Sequence, residues 1–191
     1  EGVWQWQSVQ RGGDYANGRV QALTVQADGT IVVAGFAGAG TTLGSVSFSQ
    51  QNQYIAKLTA QGAWDWVKLP TNGGSGGGGF SGITTKTDGS IVVAGYYYGW
   101  STPSFGSFAI AQTNHDRDIA VVELKQNGDW ASATRIGTLH GGWDGTEDSF
   151  DIETQPDGTL VLLGSFSSTN LAIGNRSLST RGSSDIFVVT L

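Results

Sequence analysis

One nine-residue pattern occurs three times in the chain and decides the fold. It reads "ADGTIVVAG" at residues 27–35, "TDGSIVVAG" at residues 87–95 and "PDGTLVLLG" at residues 156–164. An Asp-Gly pair between two strand-like segments predicts a β-hairpin, because both central residues of the favoured tight turn need positive φ. The run after the pair is apolar on both faces, which is typical of a strand buried between neighbouring sheets.

Other landmarks recur in the same order around this pattern. An aliphatic residue stands five positions before each aspartate, at Leu23, Ile83 and Ile152. A glycine follows downstream at Gly44, Gly106 and Gly174. Then comes an apolar segment, "NQYIAKL" at 52–58, "DIAVVEL" at 118–124 and "DIFVVTL" at 185–191. A Gly-x-Trp triplet occupies 2–4, 62–64 and 128–130. These landmarks predict a single repeat domain over 1–191, with units at about 2–61, 62–127 and 128–191.

Each unit is predicted to contain four short antiparallel strands. The first carries the Gly-x-Trp triplet, the second precedes the Asp-Gly pair, the third is the apolar run and the fourth is the "DIFVVTL" type. Trp64 and Trp66 are two residues apart, which predicts that they lie on one strand face. Tandem units of this kind predict an all-β fold of three four-stranded antiparallel β-propeller-type blades.

Several of these motifs together resemble a known family. The Gly-x-Trp-x-Trp at 2–6, the Gly-Gly-Asp-Tyr-Ala-Asn-Gly segment at 12–18, the Asp-Gly turn, "IVVAG" and "DIFVVTL" are similar to the secreted bacterial β-propeller repeats called SBBP. The likeness covers the whole chain in three copies, although the second copy has "NGGSGGGGF" at 72–80 in place of the Gly-Gly-Asp-Tyr segment. The resemblance implies a propeller fold and a secreted or cell-surface protein, and it implies no catalytic residues.

Three blades are fewer than the four to eight that usually close a propeller. The Gly-x-Trp strand and the "DIFVVTL" strand, consecutive elsewhere, stand at opposite ends of the chain. We therefore expect head-to-tail association with a second copy, as a closed homodimer of six blades or as a strand-sharing extracellular filament. A piece of a longer repeat protein is a third interpretation. The expected assembly residues are Trp4, Trp6, Ile186, Phe187, Val188 and Val189.

Composition excludes several classes of protein. The chain has no cysteine, which rules out disulfides and thiolate chemistry. It has no methionine and begins at Glu1, which indicates a processed or excised product. Only 14% of residues are charged and the net charge is -6, so a nucleic-acid partner is not expected. No apolar stretch approaches the roughly 18 residues of a membrane helix, so no membrane span is expected.

Catalytic motifs are weak. The Gly-x-Ser-x-Gly at 73–77 has no helix after it, which the nucleophile elbow requires. His115 and His140 show no metal-ligand spacing. A propeller-fold hydrolase would place several carboxylates near its channel, and the sequence shows no such repeated set. We therefore expect a non-catalytic module for self-assembly or surface adhesion, without a cofactor.

Two ligand hypotheses remain from the non-repeated segments. An acidic cluster in the third unit lacks the order of a calcium loop and is predicted to be a solvated loop, with calcium as the alternative. Its members are Asp144, Glu147, Asp148 and Asp151. Aromatic residues predicted in loops suit the stacking of sugar rings, as in a carbohydrate-binding lectin, or else cover an interface. The lectin residues would be Tyr96, Tyr97, Tyr98, Trp100, His115, Trp143 and Asp144.

Overall fold

The chain is all-β. The computed structural model describes residues 6, 18–71, 78–98, 102–111, 117–137 and 145–191. In these ranges every regular element is a β-strand, and all strand pairs within the sheets are antiparallel. Among the same residues there is no helix long and apolar enough to cross a membrane.

The first sheet has four strands in the order β1-β2-β5-β6. They are β1 (Arg19–Val25), β2 (Ile31–Ala37), β5 (Asn52–Leu58) and β6 (Trp64–Lys68). A small hairpin between β2 and β5 consists of β3 (Thr42–Leu43) and β4 (Val46–Ser47). The last strand, β6, carries the Gly-x-Trp motif of the following unit. This sheet therefore crosses the boundary between two sequence repeats.

The second sheet repeats this arrangement in the order β7-β8-β11-β12. Its strands are β7 (Gly78–Thr85), β8 (Ile91–Tyr97), β11 (Asp118–Leu124) and β12 (Trp130–Ile136), and its small hairpin is β9 (Ser104–Phe105) and β10 (Phe108–Ala109). In the described part of the chain, the third sheet has three strands in the order β13-β14-β17. Its strands are β13 (Glu147–Thr154), β14 (Leu160–Phe166) and β17 (Asp185–Thr190), and its small hairpin is β15 (Leu171–Ile173) and β16 (Arg176–Leu178).

The Asp-Gly hairpins form as predicted, but with a different turn. Gly29 N donates to Gln26 O at 2.9 Å, and Gln26 N donates to Thr30 O at 2.8 Å. Gly29 is therefore the fourth residue of the turn, with φ of 80°. The predicted turn, with Asp28 and Gly29 as its central pair, is wrong. The structure has the longer hairpin loop, in which a left-handed glycine follows the turn.

Each first strand contains one extra residue at the same position. The register shifts between Val20 and Ala22 in β1, and at the corresponding places in β7 and β13. This β-bulge brings the backbone of the first strand against the glycine that ends each repeated apolar run. A methyl group on Gly95 would contact Gly79 O. The repeated glycine is therefore required by close backbone approach.

A second bulge changes where the tryptophans point. Leu58 pairs with Trp64 and Lys57 pairs with Trp66, so Asp65 is the extra residue. Trp64 packs with the cluster on one face of the first sheet, and Trp66 packs with the cluster on the opposite face. The prediction that both rings share a face is wrong, because the extra residue reverses the alternation of side chains.

The three sheets pack face to face in chain order. We call the face that a sheet turns toward the next sheet its front face, and the opposite one its rear face. The first seam joins the front of the first sheet to the rear of the second, and its buried residues include Val32, Ile55, Phe80, Ile83 and Val93. The second seam joins the second sheet to the third, and its buried residues include Val92, Ile119, Val121, Ile152 and Leu162. Strand β7 lies next to both β1 and β13, so the first strands of the sheets converge.

Candidate functional site

The front face of the third sheet exposes apolar residues that the repeat buries elsewhere. Ile119 on β11 is 0% exposed in the second seam, whereas Ile186, at the corresponding position of β17, is 81% exposed. Val121 is buried in the same seam, and its counterpart Val188 is exposed. Leu163 on the neighbouring strand β14 is exposed as well. These side chains form the open front face.

The rear face of the first sheet is open in the same way. Leu23 is 61% exposed, whereas its counterpart Ile83 is 5% exposed in the first seam. Val20 is exposed, and its counterpart Phe80 is buried. A concavity of about 490 Å³ lies on this face. Its lining includes Trp6, Leu23, Val33, Leu43, Tyr54 and Trp64. We call this surface the open rear face.

The two open faces match each other in polarity. In the second seam, Ser81 Oγ and Ser149 Oγ form a hydrogen bond of 2.7 Å between β7 and β13. The position equivalent to Ser81 in the third sheet is Phe150, and the position equivalent to Ser149 in the first sheet is Val20. Both residues are apolar and exposed. A polar pair inside the chain thus corresponds to an apolar pair on the two open faces.

The expected assembly residues separate into two groups. Ile186 and Val188 lie on the open front face, whereas Phe187 is buried and Val189 is partly buried in the second-seam cluster. Alternation along β17 explains this division. Trp6 Nε1 donates to Ala60 O at 2.9 Å. Trp4 lies outside the described residues.

The aromatic residues predicted in a loop partly belong to a strand. Tyr96 and Tyr97 are in β8, so their assignment to a loop is wrong. Tyr97 is buried, and its hydroxyl donates to Ala111 O at 3.0 Å. Burial raises the pKa of the Tyr97 hydroxyl well above its usual value; Asp118 raises this pKa further, and Arg135 opposes the rise. Tyr97 is therefore a neutral core residue.

Arg117 organises the exposed part of this aromatic group. Its guanidinium lies 4.3 Å from the ring centroid of Tyr96 and 5.6 Å from that of Tyr98. The two rings are stacked, with centroids 6.3 Å apart and an interplanar angle of 7°. Arg117 Nη1 donates to both carboxylate oxygens of Asp148, at 2.8 and 3.0 Å. Glu147 N donates to Arg117 O at 2.8 Å, so this group ties the second sheet to the third. Arg117 was not predicted as a site residue from the sequence.

Three of the four acidic residues lie on a strand and not in the predicted loop. Glu147, Asp148 and Asp151 lie on β13, and Glu147 is fully buried. Asp148 is paired with Arg117, and Asp151 Oδ1 accepts a hydrogen bond from Ile152 N at 2.9 Å. Within the described ranges, no group of three or more histidine, aspartate or glutamate side chains is arranged to hold a metal ion. The remaining candidates for the lectin and calcium sites lie outside those ranges; they are Trp100, His115, Trp143 and Asp144.

Comparison with known proteins supports the fold alone. No protein-family model matches the chain, and no curated protein matches it. Among solved structures, the Hadza microbial sialidase Hz136, a β-propeller protein, is similar with a TM-score of 0.51 and 14% sequence identity. The match covers 79% of this chain and 32% of the sialidase chain, so this chain spans about a third of that protein's length. The all-β arrangement is propeller-like.

Proposed function

We propose that the chain is a secreted or cell-surface propeller-repeat module that associates head to tail with a second copy. The open front face of one copy packs on the open rear face of the next. The observation that carries this proposal is the exposure of Ile186 and Leu23. The counterpart of Ile186 is buried in the second seam, at Ile119, and the counterparts of Leu23 are buried in both internal seams, at Ile83 and Ile152.

The physical driving force is burial of apolar surface. Complete burial of a large aliphatic side chain is worth roughly 1.5–3 kcal/mol relative to leaving it exposed. Ile186, Val188, Leu23 and Val20 are all exposed on the open faces. A third seam built like the internal two would bury these side chains together, and the matched pair of Phe150 and Val20 supports that docking.

Each sheet is taken as one blade of a propeller. Two copies then provide six blades, which is within the range of closed propellers. A closed homodimer is the lead arrangement. If the rotation between copies does not close, the same contact produces an extracellular filament. Either product would serve as a scaffold or an adhesive surface, in the secreted or cell-surface setting that the resemblance to SBBP repeats implies.

Sedimentation velocity and electron microscopy test this proposal. We expect the wild-type protein to sediment above its monomer mass of 20.0 kDa and to form rings or fibres. Ile186→Lys places a charge in the proposed seam and should convert the protein to a folded monomer. Thr134→Lys, at an exposed position of β12, adds the same charge elsewhere and should leave the assembly intact. A wild-type monomer at micromolar concentration, or equal behaviour of the two variants, would overturn the proposal.

Carbohydrate binding is a second candidate function. The stacked rings of Tyr96 and Tyr98 lie beside the charged pair of Arg117 and Asp148, and Tyr98 is exposed. Aromatic faces beside charged groups suit sugar rings. A glycan array tests this candidate, with binding expected to be lost in Tyr98→Ala and kept in Phe150→Ala. Absence of binding, or equal loss in both variants, rejects it. Release of sugar in the same assay tests the expectation that the module is not catalytic.

A further inference from the structure

We infer that the concavity on the open rear face binds a small aromatic carboxylate, with the ring system of the ligand in the apolar part and its carboxylate at Arg19. Such a site differs from the contact between copies and does not require it. Three features support it. The first sheet lacks rings that the second sheet has, hydroxyl groups in the lining lack partners, and an unpaired positive charge lies at the rim.

The concavity exists because the first sheet lacks three aromatic rings that fill the second sheet. On the rear face of the second sheet, the first seam buries three rings, which belong to Phe80, Tyr97 and Phe105. Strand pairing and position in the small hairpin identify their counterparts in the first sheet as Val20, Ala37 and Leu43. All three counterparts line the concavity. Smaller side chains therefore create space in the first sheet itself.

Tyr54 supplies a hydrogen-bond donor to the lining. It stands where the second sheet has Ala120. Its hydroxyl extends over the neighbouring strand, because a methyl group on Gly35 would lie 3.1 Å from the hydroxyl oxygen. Among the described residues this hydroxyl has no hydrogen-bond partner. Burial raises the pKa of the Tyr54 hydroxyl above its usual value of 10.0, so the group stays protonated at neutral pH. It can therefore donate to an oxygen atom of a ligand.

Thr41 adds a second hydroxyl to the same lining. Thr41 is 6% exposed, and its Oγ1 has no hydrogen-bond partner within the described ranges. A buried hydroxyl without a partner is unfavourable, so an acceptor or donor brought by a ligand would stabilise it. Apolar walls with a few polar groups are typical of small-molecule sites. The volume of about 490 Å³ is also in the range of such sites.

Arg19 places a positive charge at the rim of the concavity, where it is exposed. Its guanidinium carbon lies 4.9 Å from the centroid of the Phe36 ring. In the part of the chain that the structure describes, Arg19 forms no ion pair. The other sheets have Gly79 and Asp148 at this position, and Asp148 is paired with Arg117. A guanidinium in this setting suits a carboxylate, which it holds through charge-assisted hydrogen bonds.

The ring system of the ligand follows from the walls of the concavity. The lining includes the aromatic side chains of Phe36, Tyr54 and Trp64. Aromatic side chains prefer offset-stacked or edge-to-face contacts with another ring. A flat ring system in the ligand would make such contacts and would occupy space that rings of the protein fill in the second sheet. A fused two-ring carboxylate has both the flat apolar part and the negative charge.

Calorimetric titration with 2-naphthoate tests the site, and 2-naphthamide is the neutral control. The titration uses the Ile186→Lys variant, because association of wild-type copies would cover the same face. We expect one 2-naphthoate to bind per chain. Adding Arg19→Gln should weaken the binding of 2-naphthoate by about tenfold or more, since a charge-assisted hydrogen bond is lost, and should leave 2-naphthamide unaffected. Arg176→Gln removes an exposed arginine on β16 and should change neither.

A substitution that restores a ring tests the location. Val20→Phe gives the first sheet the side chain that Phe80 provides in the second, and the exposure of Val20 lets the fold tolerate it. The added ring should abolish the binding of both probes by occupying the concavity. Val25→Phe adds the same ring at another exposed position of β1, outside the lining, and should leave binding unchanged. Equal binding by these two variants would show that the probes bind elsewhere and would overturn the inference.

The wild-type protein separates this site from the association of copies. If copies associate through this face, the wild type should bind 2-naphthoate more weakly as the protein concentration rises, and 2-naphthoate should dissociate the copies. If the wild type is a monomer and binds 2-naphthoate as Ile186→Lys does, the association fails and the ligand site stands. Absence of binding to Ile186→Lys, or equal binding after Arg19→Gln and Arg176→Gln, overturns the ligand site whether or not copies associate.

Discussion

Truncating Ile119 and Ile186 to alanine should produce opposite effects on folding and association. The two residues occupy the same position of the repeat, on β11 and β17, and have the same side chain. Ile119 is enclosed in the second seam, whereas Ile186 lies on the open front face. The pair therefore compares one side chain in an internal seam with the same side chain in the proposed seam between copies.

The expected magnitudes follow from the burial of each residue. Ile119 is 0% exposed, so Ile119→Ala should lower the free energy of unfolding by roughly 2–5 kcal/mol. Ile186 is 81% exposed, so Ile186→Ala should change the free energy of unfolding of the monomer by less than about 0.5 kcal/mol. Its burial between copies would stabilise each contact by roughly 1–2 kcal/mol, which corresponds to about a 5- to 30-fold change in the dissociation constant. A closed homodimer contains two such contacts, so the effect counts twice.

Two measurements check these values. Urea unfolding followed by tryptophan fluorescence, at protein concentrations below the dissociation constant, gives the free energy of unfolding of the monomer. Sedimentation equilibrium gives the dissociation constant. The reasoning fails if Ile186→Ala destabilises the monomer as much as Ile119→Ala does, or if it leaves the dissociation constant unchanged.

Two further predictions concern the turns. The turn carboxylates accept hydrogen bonds from the residue two positions later, which lowers the pKa of Asp28, Asp88 and Asp157. Each carboxylate should therefore stabilise the fold above the usual carboxyl pKa of 3.8, and this stability should be lost as the pH falls through the lowered pKa. The variant in which all three aspartates are replaced by asparagine should show a flatter dependence of Tm on pH below about pH 4. An unchanged slope would contradict this prediction. Gly106→Ala and Gly174→Ala impose the same strain at positive φ, but only Gly106→Ala brings a methyl group against a described tryptophan of the same chain. Urea unfolding should therefore show that Gly106→Ala lowers the stability of the monomer by roughly 1–3 kcal/mol more than Gly174→Ala does. Equal losses of stability would refute the packing argument.

The repeats predicted the strands well and the side-chain directions less well. Alternation and recurrence identify strands such as β2 and β8 because both signals are local. A bulge inserts one residue without a clear local signal, and this is why Trp64 and Trp66 were assigned to the same face. The repeated apolar run ends at Gly95 in the sequence, so the pattern predicts a loop at Tyr96. That glycine accommodates the bulged neighbouring strand, and β8 continues beyond it.

The candidate sites depended on contacts between sheets, which spacing along the chain does not reveal. Arg117 and Asp148 are 31 residues apart and meet across the second seam. Glu147 belongs to a run of acidic residues in the sequence, but it begins a strand and is buried there. The segment from Ile186 to Val189 was apolar throughout, and only the packed sheet shows which side chains face outward.

The difference between Phe150 and Ser81 bears on how copies would recognise the correct face. The second seam joins two serines through a hydrogen bond, whereas the proposed seam would join Phe150 to Val20. If the open front face of another copy replaced the second sheet against the rear of the third, Phe150 would meet Ser149 and leave that buried hydroxyl without its partner, at a cost of about 1–3 kcal/mol. The apolar pair therefore favours docking between open faces over exchange with the second seam. Internal seams and contacts between copies can then use one repeat geometry and still remain distinct.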